Sequence, residues 1–275
     1  MPKYIIKAHA KINIGLNIVS KRDDDFHNLE TIFYPIYDLY DELIFEDSNK
    51  FQFISDQQFD NIIVKTVNLL ERETKRNISV KITLKKNIPI GAGLGGGSSD
   101  AAVVLKTLND LYELNLSEIK MKEIALELGS DVPFFLKGKP AIGKSRGEDI
   151  SLLDLNIEYP ILLVNPGINI STKKAFSQII PSPPEFDYNN IVNIPIDEFH
   201  KFIVNDFEKS IFQKHSEIEN IKKSLYSGGA LFSSMSGTGS AVYGIFKNIN
   251  EAKNISKQFP NNYFIFISNS RASAK

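Results

Sequence analysis

The sequence predicts an α+β fold, and three patterns predict it. From Lys7 to Ile18 polar and apolar residues alternate. Asn61–Arg72 and Asp100–Leu114 space their apolar residues as helices do, and a further helix over about Ser117–Leu128 follows. The second half reads strand, helices, strand, strand, helix, strand.

In the first strand the even positions are Ala8, Ala10, Ile12, Ile14, Leu16 and Ile18, while Lys7, His9, Lys11, Asn13, Gly15 and Asn17 take the odd ones. A period of two describes a half-buried strand and sets Lys11 beside Asn13 on one face. A turn-rich stretch, Ser20–Asn28, leads to strand-like Thr31–Ile36 and Glu42–Phe45. Ile78–Leu84 alternates again. The helix over Asp100–Leu114 has N-cap candidates in Ser98, Ser99 and Asp100, and the one over Ser117–Leu128 has Gly129 as a C′ glycine. Ser130–Pro133 is a turn, and Gly143–Gly147 an exposed hairpin tip. A boundary near Leu153–Tyr159 divides the chain into domains of 1–155 and 156–275. Beyond it lie a strand at Ile161–Val164, a loop at Pro181–Pro184, one long helix over Asp206–Leu225, and strands at Leu231–Ser236 and Ala241–Phe246 around Gly237-Thr238-Gly239.

Composition narrows the function. The 275 residues are 42% hydrophobic and 24% charged, with a net charge of -1, which is ordinary globular composition. Bulk charge attracts neither nucleic acid nor an anionic membrane. No cysteine is present, so disulfides, zinc thiolates and thiol nucleophiles are excluded. Met1–Lys7 lacks the apolar core of a signal peptide, and no apolar run reaches the length of a membrane span. The expectation is a cytoplasmic protein, monomeric or homodimeric, with a small-molecule partner.

Gly91-Ala92-Gly93-Leu94-Gly95-Gly96-Gly97-Ser98-Ser99 carries five glycines in seven residues, directly before a helix. Such a run lets backbone approach a ligand, and a helix start presents free N–H groups to it. The ligand this favours is an anion, most often phosphate. Gly91, Gly93 and Gly96 also satisfy G-x-G-x-x-G, yet a dinucleotide unit needs a strand after the helix, and here a second helix follows. A P-loop needs Lys after the final glycine, where Ser98 stands. A third type of phosphate loop remains.

Pro89-Ile90-Gly91 through Ser99 closely resembles the phosphate loop of the galactokinase, homoserine kinase, mevalonate kinase and phosphomevalonate kinase (GHMP) superfamily. Ala10-Lys11-Ile12-Asn13 resembles that family's first strand. Gly129-Ser130-Asp131-Val132-Pro133-Phe134-Phe135 resembles its catalytic aspartate segment, and Ser234–Ala241 its third motif. Asn205-Asp206-Phe207-Glu208 and Ser171–Phe176 also fit, and the matches run in the expected order from residue 10 to residue 246. The longer glycine run resembles the branch that phosphorylates the 2-hydroxyl of 4-diphosphocytidyl-2-C-methyl-D-erythritol in non-mevalonate isoprenoid synthesis. The resemblance implies a two-domain fold. Its N-terminal ATP-binding domain is ribosomal-protein-S5-domain-2-like and its C-terminal domain ferredoxin-like, with a tail that often returns to the first domain.

The resemblance also implies roles. Pro89–Ser99 (Pro89, Ile90, Gly91, Ala92, Gly93, Leu94, Gly95, Gly96, Gly97, Ser98 and Ser99) would hold ATP, with Asn61 and Lys86 near the adenine. Asp131 would accept the hydroxyl proton, and Lys11 would stabilise charge on the transferred group. Asn13, Phe26, His27, Thr172 and Phe176 would bind the alcohol, the aromatic rings flanking its cytosine. Asp25-Phe26-His27 stands where that branch has Gly-Tyr-His, so the phenol hydroxyl is lost and Asp25 takes the glycine's place. Magnesium would arrive with ATP, and no permanently bound cofactor is implied. Taken singly, Lys11 reads equally as a solvated strand lysine, Asp131 as a turn residue bonding its own backbone, and Phe26 and Phe176 as core. A GHMP kinase for homoserine or mevalonate, and a non-catalytic nucleotide sensor, stand as competing readings.

Overall fold

A computed structural model describes residues 3–56 and 62–269. The chain forms two compact units, each assembled from separate stretches of sequence. The first comprises Met1–Ala10, Leu39–Ile88 and Gly95–Gly138; the second comprises Lys11–Asp38, Pro89–Leu94 and Lys139–Lys275. Strands β1 (Tyr4–Lys21) and β2 (His27–Asp47) pair with each other, and each supplies residues to both units. The two short strands expected over Thr31–Ile36 and Glu42–Phe45 are thus parts of one.

In the first unit β4 (Val80–Lys85) pairs antiparallel with the later half of β2, Glu42 facing Lys85 and Asp47 facing Val80. It also pairs in parallel with β3 (Gln52–Ser55), a four-residue strand too short to show a period in the sequence. Helices α1 (Ile62–Thr74), α2 (Gly96–Leu111), α3 (Glu118–Leu128) and α4 (Val132–Lys137) pack on one another. Helical spacing turns Ile63, Val67 and Leu70 of α1, and Val104, Leu105 and Leu108 of α2, into the core. Ser117 caps α3 by accepting from the Lys120 N–H at 3.2 Å. Gly129 does not make the expected left-handed stop; its φ of 169° is extended. Of the turn expected at Ser130–Pro133, Ser130 and Asp131 form a turn, while Val132 and Pro133 open α4.

In the second unit the early half of β2 pairs with β5 (Ala141–Lys144), Thr31 facing Gly143, and β5 forms a hairpin with β6 (Asp149–Leu152). The hairpin tip is not the exposed feature expected. Gly147 is buried, and Ser145 O accepts from Leu29 N at 2.6 Å. A four-stranded antiparallel sheet follows the order β10-β7-β9-β8. Its strands are β7 (Ile161–Asn165), β8 (Ala230–Met235), β9 (Val242–Phe246) and β10 (Phe264–Ser268). Helices α6 (Phe207–Lys214) and α7 (Ser216–Ser227) lie between β7 and β8 in the chain, and α8 (Ile249–Ser256) between β9 and β10. That is the βαββαβ order of a ferredoxin-like domain. Leu162, Val164, Phe207, Ile218, Leu225 and Phe246 meet in its core. Sequence periodicity implies one helix over Asp206–Leu225, but His215 interrupts it with φ −132° and ψ 71°. Ile211 and Ile218 stand seven apart on either side of the break, a spacing that an unbroken helix would also give.

One charged cluster lies inside the first unit. Lys86 Nζ donates to Asp41 Oδ2 at 2.5 Å and to Asp100 Oδ2 at 3.0 Å, with all three side chains at most 3% exposed. Asp41 Oδ1 also accepts from the N–H groups of Asn87 and Ile88 at 2.6 and 2.8 Å. Removing the cation leaves Asp41 and Asp100 buried without it, so Lys86→Met is expected to cost about 3–5 kcal/mol in urea unfolding. Burial pushes the Asp100 carboxyl up to about 8, with Lys86 opposing the shift and Asp41 adding to it. The folded protein therefore keeps a proton that the unfolded chain has released. Stability falls as pH rises from about 4 towards about 8. Asp100→Asn should flatten that decline, measured as the difference in melting temperature between about pH 5 and about pH 8.

Candidate active site

Two stretches of the glycine-rich run belong to different units and have different local structure. Ala92–Leu94, in the second unit, is clamped by hydrogen bonds. Lys11 N donates to Leu94 O at 3.0 Å and Ala241 N to Ala92 O at 3.1 Å. Gly93 O accepts from Lys11 Nζ at 3.0 Å and from Ser236 Oγ at 2.8 Å. Gly93 has a φ of 79°, and a Cβ there would stand 2.1 Å from the Ser236 carbonyl oxygen. Only glycine fits this approach.

Lys11 is 2% exposed, not a solvated strand lysine. Its ammonium donates to Asn13 Oδ1 at 2.5 Å and lies 5.5 Å from the centre of the Phe33 ring. Asn13 is equally buried. Its Nδ2 donates to Thr31 Oγ1 at 3.0 Å, its N–H to Ser236 Oγ at 3.1 Å, and its carbonyl accepts from Tyr243 OH at 3.1 Å. The half-buried strand expected here is buried on both faces over residues 11–16. The extra cover comes from chain segments remote in sequence.

The segment after β8 is held from behind. Asn205 Nδ2 donates to Met235 O at 2.8 Å and Gly237 O at 2.9 Å, and its Oδ1 accepts from Phe207 N at 3.0 Å. Glu208 Oε1 accepts from Met235 N at 2.8 Å and Ser234 Oγ at 3.0 Å, and its Oε2 from Lys222 Nζ at 2.5 Å. Ala10–Asn13, Gly93, Asn205–Glu208 and Ser234–Ala241 are four motifs far apart in sequence. Through Lys11, Asn13, Ser236 and Asn205, residues of the second unit join them into one network.

In the first unit Gly95, at φ 72°, is the N-cap of α2 and no side chain caps that helix. Ser98, Ser99 and Asp100 are not caps as expected but lie within its first turns, Ser99 N bonding Gly95 O at 2.9 Å. The glycines, conformationally neutral in sequence, start the helix earlier than the Ser-Ser-Asp cue implies. An uncapped start leaves N–H groups available to an anion. Lys86 underlies this start; a Cβ on Gly96 would meet Lys86 Nζ and Ile88 Cγ2 at 3.0 Å. The sequence carried no sign of the Asp41 and Asp100 partners that bury Lys86. Asp131 occupies the N-cap position of α4, half-buried, and its side chain makes no capping bond. Asn61 lies outside the described residues.

The residues expected to bind the alcohol lie in the second unit. Phe26 is 47% exposed, not core. Asp25 has a φ of 63°, so it adopts the left-handed backbone that a glycine would take there. His27 and Phe176 have ring centres 5.2 Å apart and planes tilted by 31°, and Phe176 packs edge-on against Phe207 at 4.9 Å. Burial, with a smaller contribution from Lys21, holds the His27 imidazole below its ordinary pKa. Thr172 opens α5 (Thr172–Phe176) and its Oγ1 lies 3.5 Å from Thr238 Oγ1. Sequence reasoning missed Arg146, whose guanidinium carbon lies 3.7 Å from the centre of the Phe26 ring. Nothing local to Gly143–Gly147 distinguishes it from a surface arginine. Among the described residues no group of three or more His, Asp or Glu is placed to hold a metal ion, and no helix is long and apolar enough to cross a membrane.

Comparison with known proteins agrees with this geometry. Residues 61–139 match the GHMP kinases N terminal domain and residues 190–265 the GHMP kinases C terminal domain. A 4-diphosphocytidyl-2-C-methyl-D-erythritol kinase of Bacteroides fragilis is 46% identical over 248 residues, covering 86% of this chain and 90% of the relative. One from Thermodesulfovibrio yellowstonii is 38% identical over 268 residues, covering 92% and 93%. A crystal structure of 4-(cytidine 5'-diphospho)-2C-methyl-D-erythritol kinase superimposes with a TM-score of 0.82 at 28% identity, covering 96% of this chain and 98% of that one. Homoserine kinase from Cytophaga hutchinsonii, 15% identical over 96% of this chain and 95% of its own, shares the fold with a TM-score of 0.66.

The Gly93 approach generates a direct test. Gly93→Ala is expected to lower stability by about 3 kcal/mol in urea unfolding, because overpacking and a positive φ act together.

Proposed function

The chain belongs to the GHMP kinases, in the branch of the 4-diphosphocytidyl-2-C-methyl-D-erythritol kinases, and from that membership we propose how it acts. It is an ATP-dependent small-molecule kinase of the α+β, two-domain GHMP fold. We infer that it moves the γ-phosphoryl of ATP to the 2-hydroxyl of 4-diphosphocytidyl-2-C-methyl-D-erythritol. The observation that carries the nucleotide half is the glycine run ending in a helix start with no side-chain cap.

Phosphoryl transfer asks the protein for position and charge rather than covalent chemistry. In this reading Pro89–Ser99 cradles the phosphates, and Asn61 and Lys86 flank the adenine. Lys86 acts there from within its buried carboxylate cluster. Magnesium arrives with the nucleotide. Lys11, desolvated and fixed on the Gly93 carbonyl, offers positive charge to the transferred group, where a preorganised dipole or charge counts most. Asp131 takes the hydroxyl proton. Support for it is the matching segment Gly129–Phe135 at the start of α4. Asn13, Phe26, His27, Thr172 and Phe176 hold the alcohol, and the His27–Phe176 ring pair supports an aromatic base as part of it. The two family matches fall on either side of the proposed boundary near residue 155. A cytoplasmic location and a monomeric or homodimeric state belong to the same reading.

Coupled ADP release with the diphosphocytidyl alcohol, homoserine and mevalonate tests the substrate. The first should exceed the others in kcat/KM by at least about a thousandfold; a preference for either of the others would overturn the proposal. Asp131→Asn should lower kcat by about a thousandfold while the Kd for ATP, measured calorimetrically, stays within about twofold. Near-normal turnover in that variant would remove Asp131 from the mechanism.

A further inference from the structure

We propose that Arg146 is a specificity-determining residue for the alcohol substrate, holding the Phe26 ring as the platform on which a pyrimidine nucleotide stacks. The proposal rests on the reading above in which Phe26 faces the base.

Phe26 has little to keep it in place. It is 47% exposed, on the short loop between β1 and β2, and the loop passes through a left-handed aspartate immediately before it. A ring in that setting rotates about its own side-chain bonds unless something covers it. The Arg146 guanidinium lies 3.7 Å from its centre, which is stacking distance. Arginine is suited to this, since its planar group matches the ring and stays charged at every physiological pH.

The hairpin that carries Arg146 is fastened to the loop that carries Phe26. Leu29 N donates to Ser145 O at 2.6 Å. Arg22 Nη1 donates to Ser145 Oγ and to Asn28 Oδ1, both at 3.1 Å, and Arg22 also grips Asp24. Asp24 Oδ1 in turn accepts from Phe26 N at 3.2 Å. Glu148 accepts from Arg146 N at 2.7 Å and from Ser145 Oγ at 3.1 Å. Arg146 and Phe26 thus approach each other from two backbones already locked together.

The arrangement adds nothing to the core, because Phe26 stays 47% exposed. It does define one plane. With one face taken by the guanidinium, a single face remains for a base, and that base is oriented before any polar contact forms. The cation also adds positive charge beside a ligand that carries a diphosphate. A phenol hydroxyl is missing from Phe26, so ring orientation here depends on stacking and not on a hydrogen bond.

Steady-state kinetics of the full chain test this, with CDP as a competitive probe against the alcohol. Arg146→Ala should raise the KM for the diphosphocytidyl alcohol and the Ki for CDP together, by about tenfold. The KM for ATP and kcat should stay within about twofold. Arg146→Lys, which restores charge without the plane, should recover less than half of the loss on a logarithmic scale. Unchanged KM and Ki in Arg146→Ala, beside a clear rise in Phe26→Ala, would overturn the role of Arg146 and leave the base reading intact. Unchanged values in both variants would overturn the base reading as well. Parallel losses in ATP KM and kcat would mark a merely structural arginine and also overturn the proposal. If Arg146→Ala does not fold, Arg146→Gln carries the same comparison, with circular dichroism as the check on folding.

Discussion

The approach of Gly93 to the Ser236 backbone is the contact on which the second unit's part of the site depends. It is possible only because position 93 has no Cβ and takes a positive φ. Once the two backbones meet, Ser236 Oγ and Lys11 Nζ converge on the Gly93 carbonyl, and Asn13 is drawn in through its amide and side chain. A lysine ammonium buried in this way loses its hydration. The Asn13 Oδ1 and Gly93 carbonyl oxygens fixed around it take the place of part of that water.

The other buried lysine illustrates a different balance. Lys86 is enclosed by two carboxylates, so its cluster carries an excess of negative charge, and burial resolves that excess by pushing Asp100 towards its protonated form. Lys11 donates to the Asn13 amide oxygen and the Gly93 carbonyl, whereas Lys86 donates to two carboxylates. The two ammonium groups are alike in sequence and in burial. Their partners differ, and so do the roles proposed for them: charge on the transferred group for Lys11, the adenine side for Lys86.

Much of this was legible in the residues. The alternation of β1 correctly set Ala8 to Ile18 inward on one face, and the helical spacing of α1 and α2 marked their buried sides. The glycine run led into a helix, as α2 shows, and the helix after it argued against a dinucleotide unit, as α3 agrees. Legibility failed where a local cue competed with a distant contact. Lys11 and Asn13 read as the solvent face of a strand because the segments that cover them are 82 and 223 residues away. The α2 start was displaced because Ser98, Ser99 and Asp100 resemble caps, while glycine carries no helix signal of its own. The break at His215 was hidden by a seven-residue spacing common to one helix and to two.

The sequence by itself determined the alternation, the amphipathic faces and a set of motifs in a recognisable order, because these are properties of short windows. It also determined that this chain differs at Asp25-Phe26 from the pattern it resembles. Only tertiary structure decided what the motifs do for one another. The clamping of Ala92–Leu94, the burial of Lys11, the enclosure of Lys86 and the stacking of Arg146 on Phe26 each depend on groups brought together from distant parts of the chain. Hydrogen bonds and charge pairs act over a few ångströms of space without regard to separation along the chain, so no local reading of the residues contains them.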